Sequence, residues 1–534
     1  MPGIRNIIGA PCGFRTAHPL IVIVCVFLGA CIDYGEPNRS LAPVEPEADI
    51  STVEVSEDTP APSSPTAPPS TQERQRTARE QLAQEQQEKH VHRRTIETQK
   101  LSAPAQLGRR LFYENRLSHP GANLTASCRS CHLPRDATEG ERVFADLRPR
   151  SVTPSNARGK KLETLRNTPS LLNVSQNAYF NHDGEFESLR ELLRAKIIST
   201  HFGWLPDDRD RALDEIWALI LNDIGEDAIA EGTYIEEFRA ALDLDIPSLA
   251  REQVVDAVVD ALIAYLDTLR ASYTAPYDAF VYLNRINEGL DEEGDDPVAF
   301  SGRLFGRLAN QEGRVLVKFP PGFDEDAYRG LKIFYATSGS ARVGNCVACH
   351  YPPDFTDDLF HNTGVSQEAY DAVWGKDQFL ALAVPDAADA TRPSARTRSF
   401  PADASPGVAD LGYWNFANPE TSLLRKPNES ENAFLARMVG AFKTPSLRNL
   451  QWSDPFMHNG AYATVEDAIA QKIRACARAQ ADALRNPDPE FAAMRIDEDD
   501  IAPLATFLRT LNEIDEESFR QFVLDATIRP DPWE

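Results

Sequence analysis

Two short runs carry chemistry that their spacing defines. Cys128-Arg-Ser-Cys131-His132 and Cys346-Val-Ala-Cys349-His350 each set two thiols three positions apart, with an imidazole directly after the second. Thiols at that separation reach the two vinyl groups of one haem, and the adjacent histidine presents a ring nitrogen to the iron. The pattern implies two covalently bound c-type haems. Cys128, Cys131, Cys346 and Cys349 are the expected thioether anchors, and His132 and His350 the expected iron ligands. A thioredoxin-like redox pair would want a βαβ setting, and a zinc ribbon would want its cysteine pairs close together; this sequence offers neither. Of the remaining cysteines, Cys12 and Cys25 fall in an N-terminal leader, Cys31 is treated below, and Cys476 in KIRACARAQ reads as a helix-packing or surface thiol.

Holding two haems falls to helices. Apolar residues recur at helical spacing over 107–113, 189–198, 211–221, 234–242, 252–269, 465–481 and 501–511, whereas strand-like alternation is scarce. Dense Pro and Gly punctuation between these runs predicts long irregular loops wrapped around something large. The expected fold class is mainly α: two cytochrome c-like haem domains packed together, 101–300 with the first motif and 301–534 with the second.

The hydrophobic content of 42% and charged content of 25% fit a soluble globular bulk rather than a multi-span membrane protein. With 81 Asp and Glu against 55 Lys and Arg, the net charge is −26, which argues against a nucleic-acid partner. The first thirty residues run from Arg5 and Arg15 through an apolar stretch, Leu20 to Leu28, in the order of an export signal. Leu28-Gly29-Ala30-Cys31 resembles a bacterial lipobox, which implies cleavage before Cys31 and acylation of its thiol. The expectation is a protein on the periplasmic side of a bacterial membrane, touching it through a lipid anchor only. Ile32, rather than Asp, after the cysteine favours the outer membrane. Residues 31–100 are rich first in Pro, Ser, Thr and acidic residues and then in Gln, Glu and Arg, the composition of a tether. His90 and His92, beside Arg93 and Arg94, read as an exposed polar face rather than a metal site.

Around the two motifs the order of short segments resembles the bacterial di-haem cytochrome c peroxidases and their MauG-like relatives. LGRRLFYENRLS, SCRSCH, RNTPSLLN, YFNHDGEFESL and VVDALIAYLDTLRASYTAPYDAF carry the likeness in the first half. GLKIFY, NCVACH, FTDDLFHNTGV, FKTPSLRN, PFMHNGAYATVEDAI and DIAPLATFLRTL carry it in the second. The likeness spans roughly Leu107 to Leu511 apart from an enlarged middle.

The resemblance implies His132 and His350 as proximal ligands of the first and second haems. It also implies a calcium ion between the domains, held by Asn167 with carbonyls near Ser453 and Pro455. A turn-capping role before Thr-Pro is the alternative for Asn167. Where the peroxidases carry a tryptophan between the haems this chain has His182, so electron relay falls to His182 or to Trp204. The family's distal acid and amide fall near Leu192 and Phe202, which move no proton, leaving His201 and Glu191 as the neighbouring candidates for catalysis. About fourteen residues after His458, where relatives place a methionine or tyrosine ligand, stands Lys472. Met457 is the other candidate for that iron, against packing for Met457 and a surface ion pair for Lys472. His361 in FHNTG reads as a loop hydrogen-bonder.

Taken together, the resemblance implies a peroxidase. Hydrogen peroxide would bind at the His132 haem, and electrons from a cytochrome c or cupredoxin would enter through the His350 haem without reductive priming. The rivals are a MauG-like oxidase or oxygenase of a protein or organic substrate, and a non-enzymatic anchored electron carrier. A homodimer is compatible with the sequence. HFGWLPDDRDRAL and the stretch from Asn287 to Asp326 have no assigned role.

Overall fold

The computed structural model describes residues 101–121, 126–135, 142–144, 164, 166–227, 229–286, 297–312, 317–384 and 409–528. Cys31, the leader, the tether with His90 and His92, and residues 287–296 and 313–316 of the 287–326 stretch lie outside them.

The chain is mainly α. The first half contains α1 (Ala103–Tyr113), α2 (Leu189–Ile197), α3 (Arg209–Asn222), α4 (Tyr234–Leu242) and α5 (Arg251–Leu266). The second contains α6 (Pro276–Leu283), α7 (Pro297–Glu312), α8 (Glu325–Tyr335), α9 (Val365–Trp374), α10 (Glu431–Met438), α11 (Val465–Gln480), α12 (Ile501–Arg509) and α13 (Glu516–Ile528). The described strands form two short antiparallel pairs: β1 (Leu133–Arg135) with β2 (Arg142–Phe144), and β3 (Phe360–His361) with β4 (Phe442–Lys443). Side-chain caps begin the helices that frame the motifs. Ser102 accepts from Ala105 N at α1, Ser188 from Glu191 N at α2, Asp324 from Ala327 N at α8 and Thr464 from Asp467 N at α11.

The two halves are built on one plan. α1 crosses α5 so closely that a Cβ on Gly108 would stand 1.8 Å from the Ala261 carbonyl oxygen and 2.8 Å from Tyr265 Cβ. α8 crosses α12 in the same way, with Gly330 at 2.0 Å from the Pro503 oxygen and 2.8 Å from Phe507 Cβ. Glycine is needed at both positions because only a bare backbone lets the helices touch. Leu107, Leu111, Phe112 and Tyr265 fill the first crossing; Leu331, Phe334, Tyr335 and Phe507 fill the second. Each such side chain contributes roughly 1.5–3 kcal/mol by leaving water.

The repeat extends to the loops. Asn173 and Asn449, in the TPSL segments, are both left-handed at φ 58° and 59°. Phe180 bridges Phe186 and Phe456 bridges Tyr462 across tight turns. Within those turns Asn181 and Met457 have φ 61° and 71°, and Gly184 and Gly460 have φ 66° and 63°. His182 is thus the structural counterpart of His458, and Lys196 of Lys472.

One core runs from Leu107 to Leu269 and a second from Tyr277 to Leu511. A third, around Phe360, Leu411, Tyr413, Trp414, Phe434 and Met438, is formed by the segment between the second motif and β4 and takes in Tyr179 from the first half.

Candidate haem sites

Both motifs wind into a single 3₁₀ turn, Cys128–Ser130 and Cys346–Ala348, and both close on themselves in the same way. The His132 N–H donates to the Cys128 carbonyl at 2.9 Å, and the His350 N–H to the Cys346 carbonyl at 2.8 Å. Among the described residues none of these cysteines is in a disulfide. Burial pushes the Cys128 and Cys346 thiols up to about 12, so each stays a protonated, apolar-facing sulfur.

The histidines are neutral. Burial lowers both to about 4, against a weaker upward pull from the carbonyls of Pro169 and Phe355. His350 Nδ1 lies 2.9 Å from the Phe355 oxygen, and since a carbonyl only accepts, Nδ1 carries the hydrogen. Its Nε2 lone pair is left for a metal, the arrangement that orients metal-bound imidazoles. His132 Nδ1 is buried and makes no hydrogen bond of normal geometry. Partly buried thiols at this spacing, none in a disulfide among the described residues, and neutral imidazoles with a nitrogen to spare are a donor set that fits covalent haem at both places.

Beside the first motif, Phe202 and Trp204 are buried, and Leu192 packs against the same core. His201 is partly buried, its Nδ1 3.1 Å from Ser199 Oγ. Glu191 stands exposed on the first turn of α2. The Trp204 indole donates to the Leu117 carbonyl at 3.3 Å. Sequence reasoning missed His119. This residue is 3% exposed, its backbone N–H donates to Phe202 O at 2.9 Å, its ring meets Trp204 edge-on at 4.8 Å, and its Nε2 is buried without a hydrogen-bond partner among the described residues. The only signal was its place in RLSHPG, shortly before the first motif.

Between the halves lies a buried charge network. Arg166, 8% exposed, reaches Asp183 at 2.5 Å and Asp410 through two bonds of 2.7 and 2.8 Å. Burial alone would lower the guanidinium's pKa; the two carboxylates outweigh it and keep the charge fixed. Asp410, on the third core, was also missed, because nothing in ADLGYW marks an acid that pairs across so long a stretch of chain. The strap holds both turn histidines. His182 Nε2 donates to Asn167 O at 3.0 Å, Asn167 N donates to His458 O at 2.7 Å, and Lys443 N donates to His182 O at 2.8 Å. The His458 ring stacks on Phe442 at 3.5 Å and 7°. Burial, helped by Arg166, lowers His182 to about 4, and burial lowers His458 to about 3. The structure thus puts His182 in the seam between the halves, and Trp204 in the first core.

Asn167 meets Pro455 as the resemblance implied, but as a direct bond. Nδ2 donates to the Pro455 oxygen at 2.5 Å while Oδ1 accepts from Thr168 N at 3.0 Å. Its amide is spent on protein partners rather than turned as an oxygen donor toward an ion, so the arrangement does not fit a calcium cage.

At the second motif, Lys472 is partly buried on α11. Its Nζ is 4.0 Å from Met457 Sδ, and its charge is felt by Cys346, Cys349, His350 and His458. Burial pushes the amine down to about 8. His361 is held between two carboxylates, Nδ1 2.5 Å from Asp488 and Nε2 2.8 Å from Asp357. Burial opposes its charge, but the two acids outweigh it and raise its pKa far above the usual value. Cys349, His361 and Asp488 lie close enough to hold a metal, but the motif commits Cys349 to haem. Cys476 is buried against the carbonyls of Phe491 and Met494, a packing thiol.

Residues 102–285 match the family model described as di-haem cytochrome c peroxidase. The methylamine utilization protein MauG of Methylorubrum extorquens is 25% identical over 369 residues, covering 69% of this chain and 68% of the relative. The cytochrome-c peroxidase IdrP1 of Denitromonas iodatirespirans is 23% identical over 365 residues, covering 68% and 70%. Among solved structures, the diheme peroxidase BthA from Burkholderia thailandensis aligns at 21% identity and a TM-score of 0.46 over 77% of this chain and 86% of that one. Over residues 102–285 the chain is similar to the di-haem cytochrome c peroxidase family, and over 68–69% of its length to a MauG protein and a cytochrome-c peroxidase. The likeness and the two Cys-x-x-Cys-His motifs imply two haem c groups.

Proposed function

We propose that this chain is a hydrogen peroxide reductase of the periplasmic space, anchored through Cys31 and supplied with electrons by a small cytochrome c or cupredoxin. The observation that carries the reading is the inequality of two otherwise duplicated haem sites. In the second, Lys472 and Met457 meet beside the motif. In the first, the counterpart Lys196 is turned to Glu185 at 3.9 Å and lies over Phe186. A site with a side chain placed to cap the iron suits electron storage, and one without it suits a small reactant.

Bound haem supplies the redox chemistry. Around it, the neutral imidazoles of His132 and His350 would hold iron, Phe202 and Trp204 would exclude water from the first site, and the Arg166 strap would fix the seam between the halves. Peroxide must lose a proton from one oxygen and gain one on the other. His201 and His119, whose positions are tied to the 199–204 turn, are the groups with protons to exchange there. Glu191, exposed, would act only through solvent. Peroxide-dependent oxidation of reduced cytochrome c tests the reading: turnover supports it, and binding of peroxide without donor oxidation overturns it.

A MauG-like oxidation of a protein or organic substrate is the second reading. It is favoured by His182 where the peroxidases carry tryptophan and by apolar Leu192 and Phe202 at the distal positions. Peroxide consumption without a cytochrome donor but with a co-oxidised organic substrate would select it.

A further inference from the structure

The repeat makes Lys472 conspicuous. Its first-half counterpart, Lys196, has an acid partner in Glu185, one residue after Gly184. The equivalent position after Gly460 is Ala461, so the second half has lost that acid. Lys472 makes no ion pair within 4.0 Å among the described residues; its one hydrogen-bond partner is the Met457 thioether, a weak acceptor. Glu368, on a neighbouring helix and felt by the amine, is already engaged by Arg474 at 2.8 Å. A partly buried amine whose one hydrogen-bond partner is a thioether has its lone pair available once deprotonated, and a metal that accepts it gives the nitrogen a stronger partner. The groups around it, Cys346, Cys349 and His350, are those that would hold the second haem.

Met457 has a different explanation. Its left-handed backbone, φ 71°, recurs at Asn181, φ 61°, in the first half, where the side chain bonds Glu185. The conformation belongs to the turn common to both halves and is not built for ligation.

We propose that Lys472 donates its amine nitrogen to the iron of the haem held by His350, with the Met457 thioether packed against the lysine. The ammonium gives one proton to solvent and its lone pair forms the iron bond; no oxidation or reduction is involved. The inference rests on the two-haem reading.

Oxidised full-length protein, with Lys472→Ala, Lys472→Met and Met457→Leu variants, tests it by low-temperature EPR and near-infrared magnetic circular dichroism, after a pyridine haemochrome count of haems per chain. A count of one haem in the wild type would sink the two-haem reading itself. With two haems, the expected wild-type charge-transfer band is that of imidazole–amine coordination. Lys472→Ala should lose the low-spin signal of that haem and gain a high-spin one, Lys472→Met should move the band to that of imidazole–thioether coordination, and Met457→Leu should leave the spectrum unchanged. A wild-type band of thioether type, or a low-spin signal that survives Lys472→Ala and is lost in Met457→Leu, overturns it. The wild-type band decides the matter even where a variant fails to load haem.

Discussion

Replacing Arg166 by methionine should be the most damaging single change in the seam. The side chain is 8% exposed, and its two partners are as deeply placed, Asp183 at 0% and Asp410 at 7%. Removing the cation leaves two buried carboxylates without the guanidinium that balances their charge. Breaking a buried pair from one side costs roughly 3–5 kcal/mol. At about 1.4 kcal/mol per decade, the middle of that range is nearly a thousandfold in the unfolding equilibrium. For a domain of this size it is a fall of roughly 8–15 °C in Tm. The loss should depend on pH. Burial without the cation disfavours a charged carboxylate, so the loss should be smaller at acid pH, where protonation removes the charge. Thermal unfolding of the haem-loaded protein by circular dichroism at several pH values measures both effects. The triple variant Arg166→Met, Asp183→Asn, Asp410→Asn should recover most of the loss, because no charge is then left unpaired. A single variant melting within about 2 °C of wild type, or a triple variant no better than the single, would refute the reasoning.

Other outcomes follow from particular atoms. Gly108→Ala and Gly330→Ala drive a methyl into a carbonyl at 1.8 and 2.0 Å, so each should cost at least about 3 kcal/mol by denaturant melts and reduce haem retention. Gly302→Ala, in α7 with nothing within 4 Å, should instead stabilise by about 0.5–1 kcal/mol. His458, buried and lowered to about 3, binds its proton more readily unfolded than folded, so stability should fall as pH drops from about 6.5 toward 3, by at most about 4 kcal/mol, and His458→Gln should flatten that slope in pH-dependent melts. His119→Ala should slow peroxide turnover at least about tenfold with haem content unchanged if its orphaned Nε2 moves a proton, whereas an unchanged rate would leave it a packing residue. Turnover of as-isolated protein should equal that of pre-reduced protein, and a large gain on reduction would count against a first haem open at rest.

The haem anchors were readable because covalent attachment fixes residue type and spacing in a stretch of five residues. The framing helices were readable for a similar reason: the expected runs at 189–198, 234–242 and 465–481 coincide closely with α2, α4 and α11, whose apolar faces repeat at helical period. His119 and Asp410 were not readable. Each acquires its meaning from a partner brought near only by folding, Trp204 in one case and Arg166 in the other. Asn167 shows a further limit. The pairing with Pro455 was legible from family order, but whether the amide offers oxygen or nitrogen depends on the Thr168 backbone, which no motif encodes. The third core was missed for the opposite reason: its described residues between 360 and 441 fall in short helices and turns, so its apolar residues carry no clear period.

The central claim is that two haems sit in one duplicated scaffold with unlike iron environments. Low-temperature EPR of the fully oxidised protein, normalised to haem content, tests it most directly. The expected spectrum has one high-spin ferric signal from the His132 haem and one low-spin signal from the His350 haem in equal amounts. Two low-spin signals, with no high-spin component, would contradict it.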